Sequence, residues 1–158
     1  MPKRSIQVRL NGVHRQLEVE DQVLMLEMVR ELGLVGTKVS CDMQVCGACT
    51  MLVDGRPVSS CTTLGIEADG RSLETIEGLA DGTTLHPLQQ AFIDNFALQC
   101  GYCTPGMIMA AKALLDEHPA PDAQQVQRWM EGNICRCTGY STIVQAVLDA
   151  ARRGQDTP

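Results

Sequence analysis

The sequence predicts an α+β fold in two parts, a hairpin-rich N-terminal half and an all-helical C-terminal half. Three observations lead there. Residues 6–19 alternate apolar and polar around an Asn-Gly pair; beyond residue 85 apolar residues recur at helical spacing only; and eight cysteines divide into two groups of four, one in each half. A chain of 158 residues is long enough for two small domains. Small units bury a low fraction of their surface and gain stability from bonds to a bound metal.

The N-terminal elements follow in order. Ile6, Val8 and Leu10 face one way and Gln7 and Arg9 the other; Asn11-Gly12 is a strong hairpin signal, and Val13 to Val19 returns as the second strand. Leu24, Met28, Val29 and Leu32 have helical spacing, with Gly33 as the stop. After a loop holding three cysteines, Thr50–Val53, Asp54-Gly55 and Val58–Cys61 read as another hairpin, and Leu73–Ile76 as a closing strand. Hairpin, helix, cysteine loop and hairpin is an order compatible with a ferredoxin-like β-grasp domain, residues 1–77. Residues 78–84, with two glycines and an Asp-Gly, are the expected linker.

Residues 85–158 are expected to form a four-helix bundle. Pro87, Leu88, Phe92 and Phe96 mark the first helix. Met107, Ile108, Ala111, Leu114 and Leu115 mark the second, stopped by His118-Pro119. Asp122 and Gln125 form a capping box for the third, with Val126, Trp129 and Met130 inward. Ile143, Val144, Val147 and Leu148 mark the fourth. Cysteines stand just before the second and fourth helices, with Thr104 and either Thr138 or Ser141 as candidate N-caps and Pro105 suited to the first helical position. Two helix N-termini would then turn their partial positive charge on one thiolate cluster.

The cysteine spacing carries the chemistry. Cys41-x4-Cys46-x2-Cys49, closed by Cys61, is the spacing of a plant-type [2Fe–2S] site. Structural zinc favours shorter Cys-x2–4-Cys pairs. Gly47 and Ala48 are small enough to let backbone amides approach sulfur, and Gly47 is free to take positive φ. The second quartet, Cys100-x2-Cys103 with Cys135-x-Cys137, is less specific: iron–sulfur, zinc and, for Cys100-x2-Cys103, a redox dithiol all fit it. Residues two apart share no helix face, so Cys135 and Cys137 belong in a turn.

Other classes fare worse. Disulfides would suit a secreted scaffold, but the stretch from Met1 to Arg4 leads straight into an alternating strand, with no apolar leader or membrane-length run. A reducing, cytoplasmic setting is expected. The net charge of −6, with no basic block and few aromatics, is a poor match to a nucleic-acid surface. His14, His86 and His118 have no Cys-x-His pairing, so they read as surface or capping residues. Arg136 reads equally well as a solvent-facing residue and as a partner near the second quartet. The methionines read as core filler, and no nucleophile–base pair, Walker loop or carboxylate dyad is present.

The runs Gly36-Thr-Lys-Val-Ser-Cys41, Cys46-Gly-Ala-Cys49-Thr, Gln99-Cys-Gly-Tyr-Cys-Thr-Pro-Gly-Met107 and Gly132-Asn-Ile-Cys-Arg-Cys-Thr-Gly-Tyr140 resemble the small iron–sulfur subunit of the molybdenum hydroxylases. That family includes xanthine dehydrogenase, aldehyde oxidoreductase and aerobic carbon monoxide dehydrogenase. The resemblance covers about Ile6 to Ala151 and makes the second quartet a second [2Fe–2S] site. It implies an electron-transfer subunit with no substrate site of its own. Its partners would be a large molybdopterin-binding subunit and a medium FAD-binding subunit, in a heterotrimer or a dimer of heterotrimers. It also implies that Gln99 and Cys137 lie near the partner's pterin. One departure is visible: Ser40 and Gln44 stand where many members have glycine. A free-standing two-cluster electron carrier and a zinc scaffold are the competing readings.

Overall fold

The computed structural model describes residues 2–155, Gln155 by its backbone alone. Met1 and residues 156–158, which the expected domain limits include, lie outside the described residues. Strands β1 (Lys3–Leu10) and β2 (Val13–Glu20) pair antiparallel with Leu10 opposite Val13. Asn11 and Gly12 between them both hold positive φ, 49° and 82°, as a type I′ turn requires. The Asn11 side chain also reaches Thr75, accepting from its N–H at 2.9 Å and donating to its hydroxyl at 3.0 Å. The turn is thereby pinned to the end of the sheet.

Helix α1 (Met25–Glu31) buries Met25, Leu26, Met28 and Val29. Leu32, expected on the buried face, is instead the exposed C-cap, because the helix ends one residue early, at Glu31. Gly33, at φ 86°, donates to Arg30 O while Leu34 donates to Val29 O, a Schellman ending. Strands β3 (Thr50–Val53) and β4 (Arg56–Ser59) form the second hairpin around Asp54 and Gly55, again both at positive φ. β5 (Ser72–Glu74) starts and ends slightly earlier than expected. It runs parallel to β1 and antiparallel to β3, giving the five-stranded order β2-β1-β5-β3-β4.

Four helices follow: α2 (Pro87–Asp94), α3 (Thr104–Glu117), α4 (Ala123–Met130) and α5 (Ser141–Gln155). They share a core of Leu88, Phe92, Met107, Leu114, Val126, Ile143 and Val147. Both bonds of the Asp122–Gln125 capping box are present at 2.8 Å. Phe96 corrects the sequence reading. α2 stops at Asp94, and Phe96 takes φ 51° with 81% of its surface exposed. Its N–H goes to Ile93 O and that of Ala97 to Phe92 O, so Phe96 fills the left-handed position after the helix that glycine usually takes. Trp129, expected in the core, is only partly buried and donates to Ala110 O at 2.9 Å.

The two halves are packed on each other through β3. All four of its residues are buried because both faces of the strand are covered. Met51 and Val53 join Ile6, Val8, Met25 and Val29 under α1. Leu52, on the opposite face, meets Met109 and Ala113 of α3, with Ile76, Leu79 and Trp129 around them. The expected linker is therefore ordered: Leu79 is wedged at this contact, and Asp81 and Thr84 close a small turn with reciprocal backbone bonds of 3.0 and 2.9 Å.

α5 is held to α2 by Arg153, whose guanidinium lies 2.7 Å from Asp94 and 2.6 Å from Asp149. The Gln90 amide and then Arg153 hold the Asp94 carboxyl below the usual range. Burial pushes Asp149 up, but Asn95 and Arg153 outweigh it and the net direction is down. Folded values below the unfolded ones mean stability present above about pH 4 and lost as pH falls through the folded values. The gap in thermal midpoint between the native chain and Asp149→Asn should therefore narrow as pH falls from 6 towards 3. A gap that stays constant would show that the carboxylate charge does not stabilise α5.

Candidate functional site

The first cysteine loop runs between α1 and β3 without a regular element. Asp42 and Gln44 both take left-handed φ, 53° and 59°, which winds the chain around one sulfur. The N–H groups of Val45 and Cys46 donate to Cys41 Sγ, each at 3.4 Å. The Met43 N–H, and then these two, form an anion nest that draws the Cys41 thiol down to about 6. Cys49 is different: it is buried with Cys61 and Leu26, and that burial pushes its thiol up to about 11. Ser60, itself buried, donates to Cys49 O at 2.7 Å and ties the second hairpin to the loop. Of the two positions where the resemblance favours glycine, Gln44 holds positive φ; Ser40 is not among the described residues that do.

In the second quartet Cys100 and Cys137 are exposed, with their sulfurs 3.6 Å apart. Cys103 and Cys135 form the inner pair. Burial, then the neighbouring Cys135, pushes Cys103 up to about 12. Burial also raises Cys135, but the hydroxyl and N–H of Thr138, at 3.2 and 3.4 Å, help hold it below its ordinary value. Neither Cys135 nor Cys137 lies in a helix, as expected; Gly139 and Tyr140, just beyond the pair, take φ near 70°, and the Tyr140 hydroxyl accepts from Cys135 N at 2.9 Å. All eight cysteines are free thiols.

The helix starts differ by one position from expectation. Cys103 rather than Thr104 is the cap of α3, with Met107 N donating to Cys103 O at 3.0 Å, so Pro105 is the second helical residue, where its missing N–H still costs nothing. α5 begins at Ser141, and Tyr140 O accepts its first helical bond, from Val144. Thr138 caps neither helix, because its hydroxyl is used on Cys135 and Tyr140. Gln99 and Arg136 are exposed on the chain next to the second quartet. His86 caps α2, its Nδ1 accepting from Leu88 N at 3.2 Å, and His14 and His118 are exposed.

The two cysteine segments touch directly. Ile134, next to Cys135, donates its N–H to Cys46 O at 2.8 Å. Asn133 Nδ2 donates to Gly47 O at 3.0 Å and lies 3.3 Å from Thr50 Oγ1. Gly106 of α3 packs so closely that an added Cβ would stand 2.2 Å from Gly47 O. Tyr102 donates its hydroxyl to Val39 O. Sequence reasoning missed Leu26, Ser60, Gly106 and Asn133. The one available signal was Gly106, a helix-disfavouring residue at the start of a helix.

These features agree with known proteins. A family model described as "2Fe-2S iron-sulfur cluster binding domain" matches residues 8–86, and one described as "[2Fe-2S] binding domain" matches residues 75–148. The nicotine 6-hydroxylase small subunit of Paenarthrobacter nicotinovorans is 49% identical over 146 residues, 92% of this chain and 88% of that one. The xanthine dehydrogenase iron-sulfur-binding subunit of Escherichia coli is 42% identical over 151 residues, 94% of each chain. The crystal structure of quinoline 2-oxidoreductase from Pseudomonas putida superposes at a TM-score of 0.91 with 46% identity, covering 98% of this chain and 99% of that one. Two adjoining cysteine sites in a ferredoxin-like fold, matched nearly end to end by such subunits, show that this chain belongs to the family of small iron–sulfur subunits of the molybdenum hydroxylases.

Proposed function

We propose that Cys41, Cys46, Cys49 and Cys61 hold one [2Fe–2S] cluster and Cys100, Cys103, Cys135 and Cys137 a second. On this reading the chain relays electrons from molybdopterin in a large subunit to FAD in a medium subunit, and the complex is a heterotrimer or a pair of them in the cytoplasm. The β-grasp unit, residues 1–77, would carry the first site, the four-helix unit, residues 85–158, the second, and residues 78–84 would join them. When bound, each core supplies one-electron chemistry. The outer pair of the second set fits such a core. Two thiolates about 2.3 Å from one tetrahedral ion lie about 3.8 Å apart, close to the 3.6 Å between Cys100 and Cys137 and far beyond a disulfide bond. The amides around Cys41 and the Thr138 groups on Cys135 favour thiolate at one sulfur of each site, while burial opposes it at Cys49 and Cys103.

The observation that carries the relay is the Ile134–Cys46 hydrogen bond. It makes a continuous path from the Cys46 side chain, through its carbonyl, to the backbone of Cys135, broken by a single hydrogen bond. The exposed rim of Gln99, Cys100 and Cys137 is the side for the pterin-bearing partner. Anaerobically purified protein should contain about four iron and four acid-labile sulfide per chain, two of each per site, and a molybdenum-containing chain should co-purify. Zinc without sulfide would sink the electron-transfer reading. Full iron with no molybdenum partner would favour a free-standing carrier.

A further inference from the structure

We propose that Asn133, in the second cysteine segment, is a positioning residue for the first site, setting which way the backbone amides of the Cys46–Ala48 turn point. This rests on the reading of the first quartet as a cluster site. Asn133 is 7% exposed, and its carboxamide is used across the two halves of the molecule, on Gly47 O and Thr50 Oγ1, rather than on its own loop. Gly47 O also receives Thr50 N at 3.1 Å and Thr50 Oγ1 at 2.8 Å. Cys46 O is held by Ile134 N. Two consecutive carbonyls of the first loop are therefore fixed towards the helical half.

In a trans peptide the N–H points opposite to the C=O. The N–H groups of Gly47 and Ala48 are thus directed away from Asn133. That is the side on which Cys49 packs with Leu26 of α1, opposite the strand face that Thr50 presents to the helical half. Gly47, at φ 68°, packs directly on this side chain: a Cβ there would stand 2.5 Å from Asn133 Nδ2 and 2.6 Å from Gly132 O. Amide hydrogen bonds to cluster sulfur stabilise the more negative, reduced state and raise the potential. Asn133, two residues from Cys135, therefore acts on the site of the other half.

The test is redox titration with electron paramagnetic resonance on the whole complex carrying Asn133→Ala, the second site's signal being the one that Cys137→Ser alters. The expected result is full iron and sulfide, a first-site signal with shifted g-values and a more negative potential, and an unchanged second-site signal. A residue that merely packs would lower the thermal midpoint and leave both potentials alone. Unshifted potentials, a shift confined to the second site, or equal shifts at both would overturn the proposal. Should Asn133→Ala lose its clusters, Thr50→Val removes the other side-chain donor to Gly47 O, and with it the 3.3 Å partner of Asn133 Nδ2, while leaving every residue from 132 to 137 in place, and the same readings decide. Iron and sulfide missing from the native chain would instead overturn the two-cluster reading itself.

Discussion

Gly106→Ala is expected to destabilise the protein by about 3 kcal/mol, reversing the sign that helix propensity alone would give. In an exposed helix interior, alanine is better than glycine by about 1 kcal/mol. Here the new methyl carbon would stand 2.2 Å from Gly47 O and 3.2 Å from Ala48 O. Both are backbone atoms, so no rotamer change relieves the contact. Gly47 O cannot drift either, because Asn133 Nδ2, Thr50 Oγ1 and Thr50 N all donate to it. The start of α3 has to move instead, dragging Met109 and Ala113 off Leu52. The thermal midpoint should fall by about 10 °C, taking about 3 °C per kcal/mol at this chain length. Gly154→Ala, in α5 with open space around it, should leave the midpoint unchanged or slightly raised. Equal midpoints for Gly106→Ala and the native chain would mean that the α3–loop contact yields easily.

The elements, and with them most of the cysteine arrangement, are legible from local signals. Asn11-Gly12 and Asp54-Gly55 each specify a turn through positive φ at two residues, and both turns form. The capping box at Asp122 and the stop at Gly33 are equally local and equally legible. Phe96 was misplaced because its spacing from Phe92 fits a helix face, while the Schellman ending that turns it outward depends on a left-handed conformation seldom adopted by an aromatic residue. Thr104 and Thr138 look like caps by type, yet Thr138 is claimed by a sulfur, a competition that spacing does not reveal. Contacts between the halves were illegible for a different reason. Asn133 and Gly47 are 86 residues apart, and no periodicity links them. A buried asparagine shows itself only once its partner carbonyl is in place. The linker illustrates the same limit: its composition reads as a spacer, whereas Leu79 and the Asp81–Thr84 turn place it against packed structure.

Removing one cysteine from each site should have unequal consequences, and burial says which is worse. Cys137 is exposed, so Cys137→Ala removes a thiolate and little packing. Its expected result is iron and sulfide reduced to about two each per chain, an intact first-site signal, and a modest fall in thermal midpoint. Cys49 is 2% exposed and packs with Leu26 and Cys61, and its carbonyl receives the buried Ser60 hydroxyl. Cys49→Ala therefore removes a ligand and leaves a cavity at the junction of α1, the first loop and the second hairpin. The damage should spread further in one direction. The turn at Cys46–Ala48 is the surface on which Ile134, Asn133 and Gly106 rest, so loosening it undermines both segments of the second site. Among the described residues the outer pair's own backbone makes no such contact in return, although Tyr102, two residues after Cys100, donates to Val39 O of the first loop. Cys49→Ala should accordingly weaken both resonance signals and lower the midpoint well beyond Cys137→Ala, measured on complexes purified identically. An undiminished second-site signal in Cys49→Ala, with a midpoint equal to that of Cys137→Ala, would show that the two sites share a boundary without depending on it.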